Sequence, residues 1–142
     1  MHTHITIRPC NRGVAATELA IVLPLLALLA LVGTDLGRAT HAYLAVGNAA
    51  RVGAEYGSLR NVTDYTEASW EQQIQDAVRE EAEGTPTLDS ASVTVDIQRS
   101  TDADDLSVIT VETTYPFEMI VDWPGLPATL NLRRTVTMRQ SR

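Results

Sequence analysis

The chain reads as α+β, with a long N-terminal helix that crosses a membrane, a short second helix and a three-stranded antiparallel sheet. Three observations predict this. Val14 to Val32 is nineteen residues of apolar sequence interrupted by one charge, Glu18. Small and apolar residues then recur at helical spacing to about residue 57. From Ala91 onward the pattern changes to strict alternation of apolar and polar residues. These features divide the sequence into a basic leader (1–13), a helix (14–57) and an α+β domain (58–142).

The apolar run comes first because its length is diagnostic. At about 1.5 Å per residue it reaches roughly 28 Å, close to the roughly 30 Å hydrocarbon core of a bilayer. It has no polar face beyond Leu19, and a helix apolar all round is buried in protein or in lipid. The rest of the chain is too small to surround it, so lipid is the expected solvent. Pro24 lies inside the run. It removes one helical donor, and membrane helices tolerate this as a kink. Arg8 and Arg12 precede the span, so the positive-inside rule puts the N-terminus in the cytoplasm and the bulk of the chain outside it. The run is too long for a secretory signal, and no A-x-A cleavage site follows it.

Past the span, Leu36, Ala39, Tyr43, Val46, Ala50, Gly53 and Gly57 share one helical stripe. Gly47, Ala50 and Ala54 are small enough to admit a close backbone neighbour. That neighbour is either a second helix or the protein's own sheet. Gly33 and Gly37 mark the exit as a place for flexing. Thr66 or Ser69 caps a second helix over about Trp70–Glu83, whose apolar stripe is Trp70, Ile74, Ala77, Val78 and Ala82. Gly84 and Pro86 end it. Ala91, Val93, Val95 and Ile97 then alternate, as do Ile109, Val111, Thr113 and Tyr115, and these two runs form a hairpin around an acidic tip. A proline-punctuated connection over 116–127 leads to a third strand. Its apolar residues Leu130, Leu132, Val136 and Met138 are read with a bulge or shift near Arg133.

Composition narrows the function. The net charge is −7, and all the basic residues are arginine. An acidic body argues against nucleic acid, because phosphate binding needs a basic surface. Cys10 is the only cysteine, so no internal disulfide or Cys/His metal spacing exists. Asp102, Asp104 and Asp105 lack the glycine and terminal glutamate of a calcium loop and read as a solvated tip. His41 stands alone on the helix. No nucleophile–base grouping or phosphate loop is present. An enzyme, a catalytic residue, a cofactor and a metal are all unexpected.

Arg12-Gly13, Glu18, Pro24, Asp35-Leu36-Gly37-Arg38 and Asn48-Ala49-Ala50-Arg51-Val52-Gly53-Ala54 occur in that order over about 45 residues. No single one is specific, but the ordered set resembles the N-terminal signature of TadE-like proteins, minor pseudopilins of tight-adherence pilus systems. The sequence departs from it at Leu19, where the family often has phenylalanine. The resemblance implies a class III signal cut by a prepilin peptidase between Gly13 and Val14, with the helix retained. Glycine before the scissile bond suits such a cut, since it has no Cβ to obstruct a close approach. The resemblance also implies that Glu18 acts in subunit assembly. A new Val14 amine, with a pKa near 8, is mostly protonated and would pair with Glu18 of a neighbouring subunit. The implied partners are the peptidase, other pilin-like subunits, the pilus assembly platform and membrane lipid. The implied location is the bacterial inner membrane, with a single pass and a periplasmic C-terminal domain. The competing reading is an unprocessed, bitopic, membrane-anchored binding module.

Overall fold

The computed structural model describes residues 12–60, 62, 66–104, 106–121, 125 and 127–140. Arg8 and Cys10 lie outside the described residues, as does Asp105. The element order is α1 (Arg12–Ser58), α2 (Glu67–Glu83), β1 (Thr94–Thr101), β2 (Ser107–Glu118) and β3 (Thr129–Arg139). The expected α+β class and all five elements are present. A single 3-10 turn, Ser90–Ser92, precedes β1. Ala91 belongs to that turn and is exposed, so the alternation of the first strand begins at Val93 and not at Ala91. Asp89 fixes the turn by accepting the backbone N–H of Ala91 at 3.2 Å and the Ser92 hydroxyl at 2.7 Å.

The chain forms two compact units, 1–34 and 35–142. The described part of the first is helical throughout, including at Pro24, and all its residues from Gly13 to Thr34 are exposed. This is the one helix among the described residues that is long and apolar enough to cross a membrane.

The second unit, called the head here, contains the remainder of α1, α2 and the sheet. The sheet has order β1-β2-β3 with both pairs antiparallel. Ile97, Val111 and Val136 stand side by side across it, as do Val95, Thr113 and Arg134. Their face carries Ile109, Val111, Thr113 and Phe117, all buried. The opposite face is polar, with Asp96, Gln98, Thr110, Glu112, Thr135 and Thr137 on it. One face buried and one wet is the ordinary state of an antiparallel sheet.

The third strand needs no bulge. Leu130, Leu132, Arg134, Val136 and Met138 follow one another at a period of two, and the pairing with β2 is unbroken from Val108↔Arg139 to Glu118↔Thr129. The inner-face position that interrupts the apolar series is Arg134, not Arg133. Arg134 is accommodated in two ways. Its guanidinium stacks 4.8 Å from the Tyr43 ring centroid and donates to the Tyr43 hydroxyl at 2.8 Å. It also passes over Gly47, where an added Cβ would lie 3.1 Å from the Arg134 Nε.

Small residues on α1 let the layers close. After Asp35, the buried positions are Ala42, Ala45, Val46, Ala49, Ala50, Gly53, Ala54, Gly57 and Ser58, with at least one in every turn. Leu36 and Tyr43 from the expected stripe are exposed instead. The tightest approach is at Gly53, where an added Cβ would lie 2.5 Å from Val78 Cγ2 and 3.5 Å from Val111 Cγ1. Gly57 is similar, at 2.8 Å from Ile74 Cδ1. The helix therefore meets both α2 and the central strand with its backbone. Trp70 donates its indole N–H to the Gly57 carbonyl at 3.3 Å, satisfying one of the carbonyls left open at a helix end. Ile74, Ile109, Val46, Val78 and Val111 are fully buried, each worth roughly 1.5–3 kcal/mol of transfer free energy.

Helix α2 begins at Glu67, three residues before the expected start, with Thr66 at its N-cap position. Ser69 donates its hydroxyl to the Thr66 carbonyl at 2.8 Å. Trp70, Ile74, Val78 and Ala82 are buried, while Ala77 is half-buried. His41 is exposed on α1 and hydrogen-bonds through Nδ1 to the Thr87 hydroxyl at 2.8 Å.

Candidate functional site

The expected processing and assembly residues all lie in the first two turns of α1. The helix starts at Arg12, ahead of the expected Val14, so the Gly13–Val14 peptide lies within the first turn. The first N–H groups of a helix have no intrahelical partner, and this peptide is therefore held by fewer bonds than one in mid-helix. Open space surrounds the position a Gly13 Cβ would take. Thr17 donates its hydroxyl back to the Val14 carbonyl at 2.8 Å and the Gly13 carbonyl at 3.3 Å. Glu18 is exposed one turn after Val14 and on the same helix face. No hydrogen bond or ion pair engages its side chain among the described residues.

A second group gathers where the head begins, at the Asp35–Arg38 step, whose partners sequence reasoning did not find. Asp35 is only 5% exposed. Its carboxylate accepts the backbone N–H groups of Ile120 at 3.1 Å and Val121 at 3.4 Å, both in the connection that follows β2. Arg38, one turn on, donates to the same carboxylate at 3.4 Å. Its guanidinium lies 5.2 Å from the centroid of the buried Phe117 ring. The Asp35-Leu36-Gly37-Arg38 step thus ties the helix to the β2–β3 connection. Met119 closes the neck of that connection by donating its N–H to the Ala128 carbonyl at 3.1 Å. An acidic residue just past an apolar run was the visible signal. Its long-range partners are main-chain N–H groups some 85 residues away in sequence, and those leave no mark on composition.

The acidic hairpin tip is occupied by protein. Arg139 pairs with Asp102 and lies 3.7 Å from Asp104. The Asp102 carboxyl is held below its ordinary value, chiefly by the Ala103 backbone N–H and then by Arg139. On the outer face of the sheet, Arg133 pairs with Glu112, which raises the guanidinium pKa. Among the described residues no group of three His, Cys, Asp or Glu side chains is arranged to hold a metal ion.

One membrane-competent helix opening on Arg12-Gly13 and leading into an α+β head defines the class: a protein with a single N-terminal helix able to cross a bilayer, consistent with a single-pass membrane protein. In the comparison with known sequences, residues 13–55 resemble the model of the TadE-like protein family, which matches that segment of the chain. The match starts at Gly13, ends in the last turns of α1, and covers Glu18, Asp35, Arg38 and Gly53. No curated protein and no solved structure matches the chain.

Proposed function

We propose that the chain is a minor pseudopilin-like component of a tight-adherence pilus assembly system, acting in pilus biogenesis from the bacterial inner membrane. Prepilin peptidase cuts between Gly13 and Val14 on the cytoplasmic side, the helix stays in the bilayer, and the head lies in the periplasm. The single observation that carries this reading is the TadE-like match, whose first residue is the glycine of the expected cut. The exposed first-turn peptide and the open surroundings of Gly13 support access by a peptidase. Glu18, exposed and without a partner among the described residues, supports a role between subunits. A carboxylate in or near lipid is costly when unpaired, and the freed Val14 amine of a neighbour would relieve that cost. Other pilin-like subunits and the assembly platform are the partners.

Intact mass and N-terminal sequencing of the membrane-extracted protein, made with its peptidase, test the cut. The expected first residue is Val14. An intact Met1 start would favour an unprocessed membrane-anchored binding module, and a start beyond Val32 would remove the anchor altogether. Glu18→Gln tests assembly. The variant is expected to be inserted and cleaved normally and to lose crosslinking between subunits. Undiminished crosslinking would leave Glu18 without an assembly role.

A further inference from the structure

We propose that Ile120, just after β2, rests at the headgroup level of the bilayer that α1 crosses, and that Asp35 holds it there. The inference rests on the reading of α1 as a span.

The apolar run ends at Val32 and Asp35 follows three residues later. Three residues reach about 10 Å at most, whatever their conformation. The headgroup layer on each side of the hydrocarbon core is roughly 5–8 Å deep. Asp35 therefore lies in that layer or at its edge. Its carboxylate takes the N–H groups of Ile120 and Val121, so those residues share its level. Ile120 is nonetheless 59% exposed in the protein, and Leu36, next to Asp35, is 66% exposed. Exposed isoleucine and leucine at this level are favourable at the boundary of headgroups and acyl chains and unfavourable against water. Arg38 is compatible with the same layer, because a guanidinium is suited to lipid phosphate.

The two ends of the sheet differ in the same sense. The β1–β2 tip carries Asp102 and Asp104 and sits at the Ser107 end of β2. The β2–β3 connection leaves from Glu118, eleven residues along the strand, or about 36 Å away. The acidic end is the one remote from Asp35, and the end with the exposed isoleucine is fastened to it.

The test uses the full chain with Cys10→Ser, reconstituted in phosphatidylethanolamine–phosphatidylglycerol vesicles. Single spin labels are placed through Leu28→Cys, Leu36→Cys, Ala103→Cys and Ile120→Cys, and accessibility to oxygen is compared with that to a water-soluble nickel chelate. Labels at 28, 36 and 120 are expected to favour oxygen, with nickel accessibility at 120 several-fold below that at 103. Leu36→Cys reports independently if Ile120→Cys perturbs the connection. Nickel accessibility at 36 and 120 equal to that at 103, with 28 in lipid, overturns the proposal and leaves the span intact. Shielding of 36 and 120 from both reagents also overturns it, because a protein neighbour then covers them. A label at 28 in water sinks the span reading and the proposal together.

Discussion

The two halves of α1 invert the usual relation between side-chain size and burial. In the first, Leu23, Leu25, Leu26, Leu28 and Leu29 all point outward with nothing against them. In the second, alanine and glycine are buried and the large Leu44 is exposed. One continuous helix therefore carries two patterns, the first of which suits a lipid solvent. Where the solvent is lipid, bulky side chains present apolar area and backbone proximity has no value. Where the neighbours are α2 and β2, the helix contributes little side-chain volume and gains by letting Ile74, Val78 and Val111 reach its backbone. The hydrophobic content of a helix does not say which half is core; the sizes of its residues do.

Removing the second half is the severest way to test this comparison. A fragment starting at Asp64 exposes Ile74, Val78, Ile109 and Val111, which α1 covers in the intact head. It is expected to lack a cooperative thermal transition, whereas a fragment starting at Asp35 should melt as one unit. Equal stability of the two would show that α1 is no part of the core.

The same substitution placed in each half sharpens the contrast. Gly53→Leu drives a side chain into Val78 and Ile74, and overpacking of this kind is expected to cost about 3 kcal/mol. Gly33→Leu meets open space and should leave the head's melting temperature unchanged. Circular dichroism melts in detergent decide between them, and similar losses for both would break the two-pattern account.

A smaller effect of opposite sign is expected in the sheet. Thr113 is fully buried on the inner face, and its hydroxyl has no hydrogen-bond partner. Thr113→Val keeps the shape and removes the unsatisfied group, so stability should rise by about 1 kcal/mol. For a domain of this size that is a melting increase of roughly 4–8 °C.

The smallest expected effect lies at the exposed acidic tip. Asp102 has a depressed pKa in the folded state. Its contribution to stability is therefore present above the ordinary carboxylate value near 3.9 and is lost as pH falls through the lower folded value. Arg139→Gln should raise the Asp102 pKa toward the ordinary value without fully restoring it, because the Ala103 N–H remains. Carbon-detected NMR titration of the side chain measures this, and an unmoved pKa would mean that the ion pair contributes nothing in solution.

Much of this fold was legible because period and residue size survive in sequence. The long helix, the α2 stripe and the inner faces of β1 and β2 came from spacing alone. The helix begins at Arg12, two residues ahead of the expected Val14, and the matched segment begins at Gly13. What spacing could not give was the identity of the neighbours. Tyr43 looked like core by its position, yet it lies exposed beneath a guanidinium from β3. The bulge expected near Arg133 came from treating a charged inner position as impossible, when stacking and a missing side chain opposite made it acceptable. The tie made by Asp35 escaped because its long-range partners are main-chain N–H groups, which every residue but proline carries.

The Arg134–Gly47 contact has a consequence for how this sequence can change. A Cβ at 47 would lie 3.1 Å from the Arg134 Nε, so the arginine must give by a few tenths of an ångström before a larger residue fits. A shorter residue at 134 removes that neighbour together with the cation over the Tyr43 ring. The two positions are therefore coupled, and the effect of a change at 47 depends on what stands at 134.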